Sequence, residues 1–482
     1  MAKKSKTKIQ NQPNSKYRQV KVYFMLMLTF GTLVGYAQTS LQSLVAQART
    51  TSPEAKVLEL SNEQNGYNNS LQLVSLKPSL SLTGNLPGFT RSINSITQPD
   101  GSLKFQTQSQ AYSSLGISAS QAIAPTGGRI SLTSGLNRID LFDPSNNTAW
   151  SSNLFVATVS QPLFQFNELK YLKPNLTTTQ KLNNARYEQS VATFNQQIAA
   201  LVLDYYYAAQ QVKLLTTQLT KQTETINRTA YLVEAGKILQ EDVDLLELER
   251  KNAENQLQNI RISLSGLEKQ LAFHYGNTAI YQQVENLNLT ELPPAPSKDN
   301  LQALAANSPT LLANAQAQEL AKQNVIRQKQ NKGLSANVDV SFGYNQQADQ
   351  LAGIYENPLD RQMASLSVSV PILDGGRAKY NRLIAQNQLE QAELSEQIST
   401  QSVNQQIENV LNQFEQLTNE LNLAQASITL AQNRETKYAN LFAAGKITVD
   451  QYLEAQNYRQ NIELTLLQAR VSYWKLRYAL VF

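Results

Sequence analysis

The residues best placed to do chemistry in this 482-residue chain are acids that follow two copies of one tetrapeptide. Ala235-Gly236-Lys237-Ile238 returns as Ala444-Gly445-Lys446-Ile447, 209 positions later. Beyond the first copy lie Glu241, Asp242 and Asp244, and beyond the second Asp450, Gln451 and Glu454. Carboxylates gathered at a narrow opening attract cations. Acids in the first turn of a helix also complement the helix dipole, and the two roles are compatible. Other chemistry has little support. His274 is the one histidine and cysteine is absent, so neither a histidine- or thiolate-ligated metal centre nor histidine-based catalysis is expected, and no cofactor. Gly375-Gly376 is not followed by the Lys-Ser/Thr of a phosphate-binding loop. Tyr205-Tyr206-Tyr207 offers aromatic surface for stacking or for packing between helices, and packing is the commoner use.

The elements that must position these residues are long and repetitive. Phe166 to Ala235 is helix-compatible apart from Lys173-Pro174, about 105 Å of helix at 1.5 Å per residue. A Gly closing such a helix, followed at once by another, reads as the turn of a helical hairpin, because Gly adopts the left-handed backbone freely. The return helix, Leu239 to Tyr275, carries Ala253, Leu257, Ile260, Leu264, Leu267 and Leu271 at alternating steps of four and three, a coiled-coil seam. The same seam recurs 209 positions on as Ile462, Leu466, Ala469, Tyr473, Leu476 and Leu480. Pro162 and Pro371, each placed at a strand-to-helix junction, share the offset. Turn, junction and seam thus mark a duplication.

Between the helices the period falls to two. Leu80 and Leu82, Leu115, Ile117 and Ala119, Phe155, Ala157 and Val159, and then Val338, Val340 and Phe342 and Leu366, Val368 and Val370 alternate with small or polar residues. That is the pattern of strands with one apolar and one wet face. Residues 84–103 and 143–152, rich in Asn, Ser, Pro and Asp, read as loops, and 276–299 as a linker. Residues 300–331 read as one helix, 377–444 as a second long one, and Thr448 onward as its return. Trp150 suits an interfacial aromatic belt.

Residues 1–37 hold seven bases and no acid, then the apolar run Val22–Val34 and Gly35-Tyr36-Ala37, the form of a cleavable signal peptide. The rest carries 35 bases against 37 acids, which gives nucleic acid no basic surface to bind. With no apolar helical span after the leader, a membrane-embedded form must be a β-barrel.

The junctions Gln161-Pro162-Leu163-Phe164 and Pro371-Ile372-Leu373-Asp374-Gly375-Gly376, with the two Ala-Gly-Lys-Ile turns and their leucine-rich returns, resemble the TolC-type outer-membrane efflux protein family. The resemblance covers the chain beyond the leader. It implies a mixed α/β membrane protein: a homotrimeric outer-membrane β-barrel continued by a long α-helical coiled-coil barrel in the periplasm, each chain an internal duplication. The division is 1–37 signal peptide, 38–290 first repeat with strands about 77–163, and 291–482 second repeat with strands about 334–372. The implied partners are outer-membrane lipid, a periplasmic adaptor (membrane fusion) protein and an inner-membrane transporter. The implied function is a passive, non-enzymatic exit duct of a tripartite efflux system, or alternatively of type I protein secretion. A periplasmic coiled-coil structural or adaptor protein is the reading from another class. Gly236, Lys237, Ile238, Gly445, Lys446 and Ile447 would be docking tips. By the family pattern an acid stands six residues after each turn Gly. Asp242 fits, whereas Gln451 departs from it. Ile447 and Phe442 replace the basic residue and Tyr of the family's better-known closed channel, so its gating network is not expected here.

Overall fold

The computed structural model describes residues 40–143, 146–234, 236, 238–331 and 333–480. The leader reading at 1–37 and Lys237 of the first tip lie outside the described residues. The order is α1 (Leu41–Thr51), α2 (Pro53–Val74), four strands β1 (Ser79–Thr97), β2 (Leu103–Ile123), β3 (Gly128–Asp143) and β4 (Asn147–Leu163), then α3 (Glu168–Glu234) and α4 (Gln240–Tyr275). There follow α5 (Ile280–Glu285), α6 (Lys298–Ala306), α7 (Pro309–Gln330), β5 (Ser335–Ala348), β6 (Leu359–Ser369), α8 (Arg377–Ala443) and α9 (Val449–Tyr478). Among the described residues no helix is long and apolar enough to cross a membrane.

The 209-residue offset governs the helices. α3 and α8 are 67 residues each, and both ends of α8 lie 209 positions beyond those of α3. At 1.5 Å per residue each is about 100 Å long. α4 and α9 also begin 209 apart. α3 runs straight through Lys173-Pro174, which the sequence marks as an interruption. Pro174 lies seven residues in, where it deletes one ladder bond near the helix start rather than in its middle. Both seams are buried or half-buried throughout; the residues between are largely exposed along the first seam and mostly half-buried along the second.

Two other expectations need correction. The supposed linker 276–299 holds α5, and Ile280, Val284, Leu287 and Leu289 are buried with Leu41, Leu44, Ile198 and Leu271 in the largest core. The expected helix 300–331 is two helices: Ser308 caps α7 by accepting the Leu311 N–H, and Pro309 takes the first turn, which stops α6. α6 packs on α8 through Leu301, Ala305, Val403 and Ile407, much as α1 packs on α3. His274 and Ser52 tie α4 to the α1–α2 corner (Nδ1 to Oγ 3.0 Å), and burial pushes the imidazole pKa down.

The six strands form one antiparallel meander in sequence order. Residues 84–97 and 147–152, which composition reads as loop, lie within β1 and β4. Pro87 falls at the irregularity between Asn85 and Gly88, where a missing N–H breaks nothing. Directly paired residues share a face. One face carries Leu80 and Leu82, Leu115 and Ile117, Ile130 and Leu132, Ala157 and Val159, Val340 and Phe342, and Leu366 and Val368. The other carries Ser79 and Ser81, Ser118 and Ser120, Ser131 and Thr133, Thr158 and Ser160, Asn337, Asp339 and Ser341, and Ser365 and Ser367. The apolar face is open to the surroundings, with Leu80 75% and Leu366 63% exposed.

At the seam between the repeats, Gly343 on β5 lies so close to β4 that a Cβ would stand 2.2 Å from the Phe155 carbonyl oxygen and 2.8 Å from the Val156 Cα. Those atoms are backbone and cannot swing away. Gly343→Ala is expected to cost about 3 kcal/mol and to lower the yield of folded protein in membranes several-fold. Gly88→Ala, with open space at its Cβ, should not. Immunoblots of isolated membranes compare the two.

Candidate docking tips and channel mouth

The two turns are built alike. Gly236 has φ +67° and Gly445 φ +66°, and each donates its N–H to the carbonyl three residues back, Val233 and Phe442. In the second turn the Lys446 N–H also reaches the Leu441 carbonyl at 2.9 Å, completing a Schellman closure. Gly236, Gly445 and Lys446 are exposed, and Ile238 and Ile447 are half-buried. Nothing lies within 4 Å of a Cβ built on either glycine. The tips therefore need Gly for backbone conformation and not for room.

Just inside the tips, Leu246, Phe442, Val449, Tyr452 and Leu453 form a small core, with Ile226 and Ile447 against it. Phe442 and Tyr452 stack at 5.2 Å. This cluster draws on α3, α4, α8 and α9, so the hairpins meet at their ends.

Asp242 and Gln451 occupy one structural position, three residues after the N-caps of α4 and α9. The Asp242 carboxylate accepts the Leu239 N–H at 3.2 Å. The Gln451 side-chain Oε1 accepts the Thr448 N–H at 3.2 Å, while the Gln451 backbone N–H reaches the Thr448 hydroxyl at 3.4 Å. Gln451 thus fills the capping role without the charge. Asp244 is exposed and accepts from Gln240, and Asp450 is exposed. Glu454 pairs with Arg434 across α8 and α9 at 2.9 Å, which raises the guanidinium pKa. Arg434 also lies over the rings of Tyr438 and Tyr458. Of the five mouth candidates, two are therefore helix-capping groups, one is ion-paired, and Asp244 and Asp450 are exposed. Thr448→Val should remove a capping oxygen at a cost of about 1 kcal/mol. The expected result is faster hydrogen exchange confined to the first turn of α9.

Residue-by-residue reading missed an ion-pair network farther in. Glu435 on α8 meets Arg459 on α9 at 2.6 Å and Lys221 on α3 at 3.8 Å, and Arg459 also pairs with Glu463. Glu435 and Arg459 are largely buried. A signal existed: Arg459 and Glu463 are the 209-residue counterparts of Arg250 and Glu254, which form the same i,i+4 pair. The tyrosine triplet is packing. Tyr205 is buried, stacks on Tyr281 and donates to Glu285, and Tyr206 and Tyr207 lie against the same core.

At the other end of the long helices, strands hand over to helix. Pro162 is the penultimate residue of β4, and Pro371 follows β6 with its ring against Gly333 (φ +91°). The first bend uses Phe164 with φ +60°, and the second uses Gly375 and Gly376. Asp374 accepts the N–H groups of Gly376 and Ala378, which hold its carboxyl below the usual carboxylate range.

Residues 300–481 match the family model described as outer membrane efflux protein. No curated protein matches the chain in sequence. A membrane protein from Pseudomonas aeruginosa has the same fold, with a TM-score of 0.68 at 13% identity over 94% of each chain. The outer membrane protein VceC from Vibrio cholerae gives 0.62 at 13% over 92% of this chain and 95% of its own. The CmeC outer membrane channel of Campylobacter jejuni gives 0.64 at 13% over 92% and 84%. The match to the outer membrane efflux protein model thus covers the second half of the chain, and the fold shared with these solved structures runs along nearly its whole length.

Proposed function

We propose that this chain is one third of a passive exit duct in a tripartite efflux system. The observation that carries the reading is a sheet with one continuous apolar face and two free edges, β1 and β6, on the same chain as two 67-residue helices. A free edge cannot remain open in lipid, because each unpaired backbone group costs several kcal/mol there. The long helices add a matching demand: Leu394 and Ile398, and Leu423 and Leu430, form exposed apolar steps along α8. Three copies pairing edge to edge satisfy both demands. The apolar face then meets lipid, the serine-rich face lines the lumen, and the helices continue the tube into the periplasm.

In this reading the chain divides near residue 290 into two repeats, each supplying one hairpin. The tips at Gly236–Ile238 and Gly445–Ile447 dock a periplasmic adaptor and, through it, an inner-membrane transporter. Asp244 and Asp450, which are exposed, give the mouth its cation preference, while Asp242 and Gln451 hold the helix starts. Purified from detergent-extracted outer membranes, the protein should run as a trimer and form ion-conducting pores in planar bilayers. Recovery of the membrane-assembled protein as a soluble monomer without detergent would defeat the reading.

A further inference from the structure

The two repeats differ in one respect that bears on the width of the duct. Ser52-Pro53 and Ser308-Pro309 open equivalent 22-residue helices, α2 and α7, and lie 256 positions apart. The elements downstream are 209 apart. The first repeat therefore holds 47 more residues between its short helix and its long one. β1 leaves α2 as β5 leaves α7, and β4 enters α3 as β6 enters α8, so the surplus is the hairpin β2–β3.

Resting on the trimeric reading above, we propose that this hairpin is part of the lipid-facing wall. β1 of each copy pairs with β6 of a second copy, closing an eighteen-strand barrel, where the bare duplication would give twelve strands. Three observations support it. First, β2 and β3 carry the same alternation as β5 and β6: Leu115, Ile117, Ile130 and Leu132 continue the apolar face, and Ser118, Ser120, Ser131 and Thr133 continue the polar one. A hairpin standing off the wall would leave those apolar side chains uncovered in water. Second, the turn between β2 and β3 is anchored where strands become helix. Asn167 donates to the carbonyls of Ala124 and Pro125 at 2.9 and 3.0 Å, and Gln161 to that of Thr126 at 2.9 Å.

Third, the dimensions agree. Strands about 4.8 Å apart and tilted about 40° give six strands an arc of roughly 38 Å. Four helices at 8–10 Å spacing span about the same. Four helices lie side by side at each level of the tube: α2, α3, α7 and α8 near the sheet, and α3, α4, α8 and α9 toward the tips. The wall then meets the tube without a step.

Eighteen strands give a backbone diameter of about 36 Å and, after side chains, a lumen of about 26 Å; twelve would leave about 14 Å. The cross-section differs about threefold. The wall inside is mostly Ser, Thr, Asn, Gln and Gly, with Tyr112, Val156 and Met363 among them and Lys104, Arg129, Asp339 and Arg361 as charges of mixed sign. Such a lumen selects weakly by charge and passes bulky polar solutes, leaving discrimination to the far mouth.

The test uses the full-length protein in native outer membranes. Ser81→Cys on the polar face of β1 is combined in turn with Met363→Cys, Ser365→Cys and Ser367→Cys on the polar face of β6. Oxidation should yield a covalent trimer in at least one combination. Polyethylene glycol of about 20 Å diameter, added on the extracellular side of a bilayer, should enter the pore and lower its conductance. Trimers that form no β1–β6 crosslink and exclude polymers wider than about 14 Å would overturn the eighteen-strand barrel and leave the trimeric duct standing. A protein that never trimerises would remove both.

Discussion

A chain carrying both Gly236→Val and Gly445→Val is expected to assemble, reach the outer membrane and export nothing. Both glycines hold a left-handed backbone that costs an L-residue about 1–2 kcal/mol, and a β-branched side chain suits it worst. Neither change meets a steric obstacle inside the chain, since nothing surrounds either position. The loss therefore falls on the tip's own shape. The Schellman closure at Phe442, Gly445 and Lys446 reopens, and the surface offered to an adaptor changes. The stabilising contacts of the hairpins begin inward of the tips, at Leu246, Phe442 and Tyr452, so heat-resistant trimers should persist. Asn at both positions separates backbone from contact. It tolerates the left-handed region while adding bulk, so export lost with Asn as well would assign the defect to docking. Drug tolerance of a strain relying on each variant is the readout, and normal tolerance in the valine double variant would end the docking role.

The parts of this architecture visible in the sequence are those set by local rules repeated twice. Gly236 and Gly445, the two seams and the junction prolines are each governed by the few residues around them, and duplication at one offset raised them above chance. The ends of β1 and β4 were hidden because Asn, Ser and Pro dominate where strands rise past the apolar band. There pairing with β2 and β3, and not composition, holds the chain extended. α5 was hidden for the opposite reason: six residues are too few to show a period, and only Ile280 and Val284 entering a distant core reveal it. At the mouth, Asp242 could be found by counting from the Gly. Glu435 could not be found that way, because its partners Lys221 and Arg459 come from other helices. The charge pair repeated at Arg250–Glu254 and Arg459–Glu463 was the one local trace of that network.

Glu435→Gln should open the mouth. Arg459 lies about 15 Å along α9 from its first residue, and Glu435 joins it to Lys221 of the other hairpin. The hairpins cannot part without breaking that link. Inward of the apolar core at the tips, their interface also buries polar amides. α3 buries Gln218 and Gln222 and α9 buries Gln456 and Gln460, and the amide oxygens of Gln218, Gln222 and Gln456 have no hydrogen-bond partner among the described residues. Each buried amide oxygen left unpaired costs about 1–3 kcal/mol, which weakens this stretch of the interface and leaves the Lys221–Glu435 pair as a charged tie across it. Neutralising Glu435 leaves Arg459 with Glu463 on its own helix and removes the tie to α3. Single-channel conductance should rise several-fold, with no change in trimer stability to heat. Glu454→Gln provides the contrast. The Arg434–Glu454 pair lies within one hairpin, between α8 and α9, so parting the two hairpins does not require breaking it. Its removal should change conductance by less than about twofold, since an exposed pair is worth no more than about 1 kcal/mol. If Glu454→Gln opens the channel and Glu435→Gln does not, the hinge lies inside the second hairpin and the mouth opens by splaying α8 from α9.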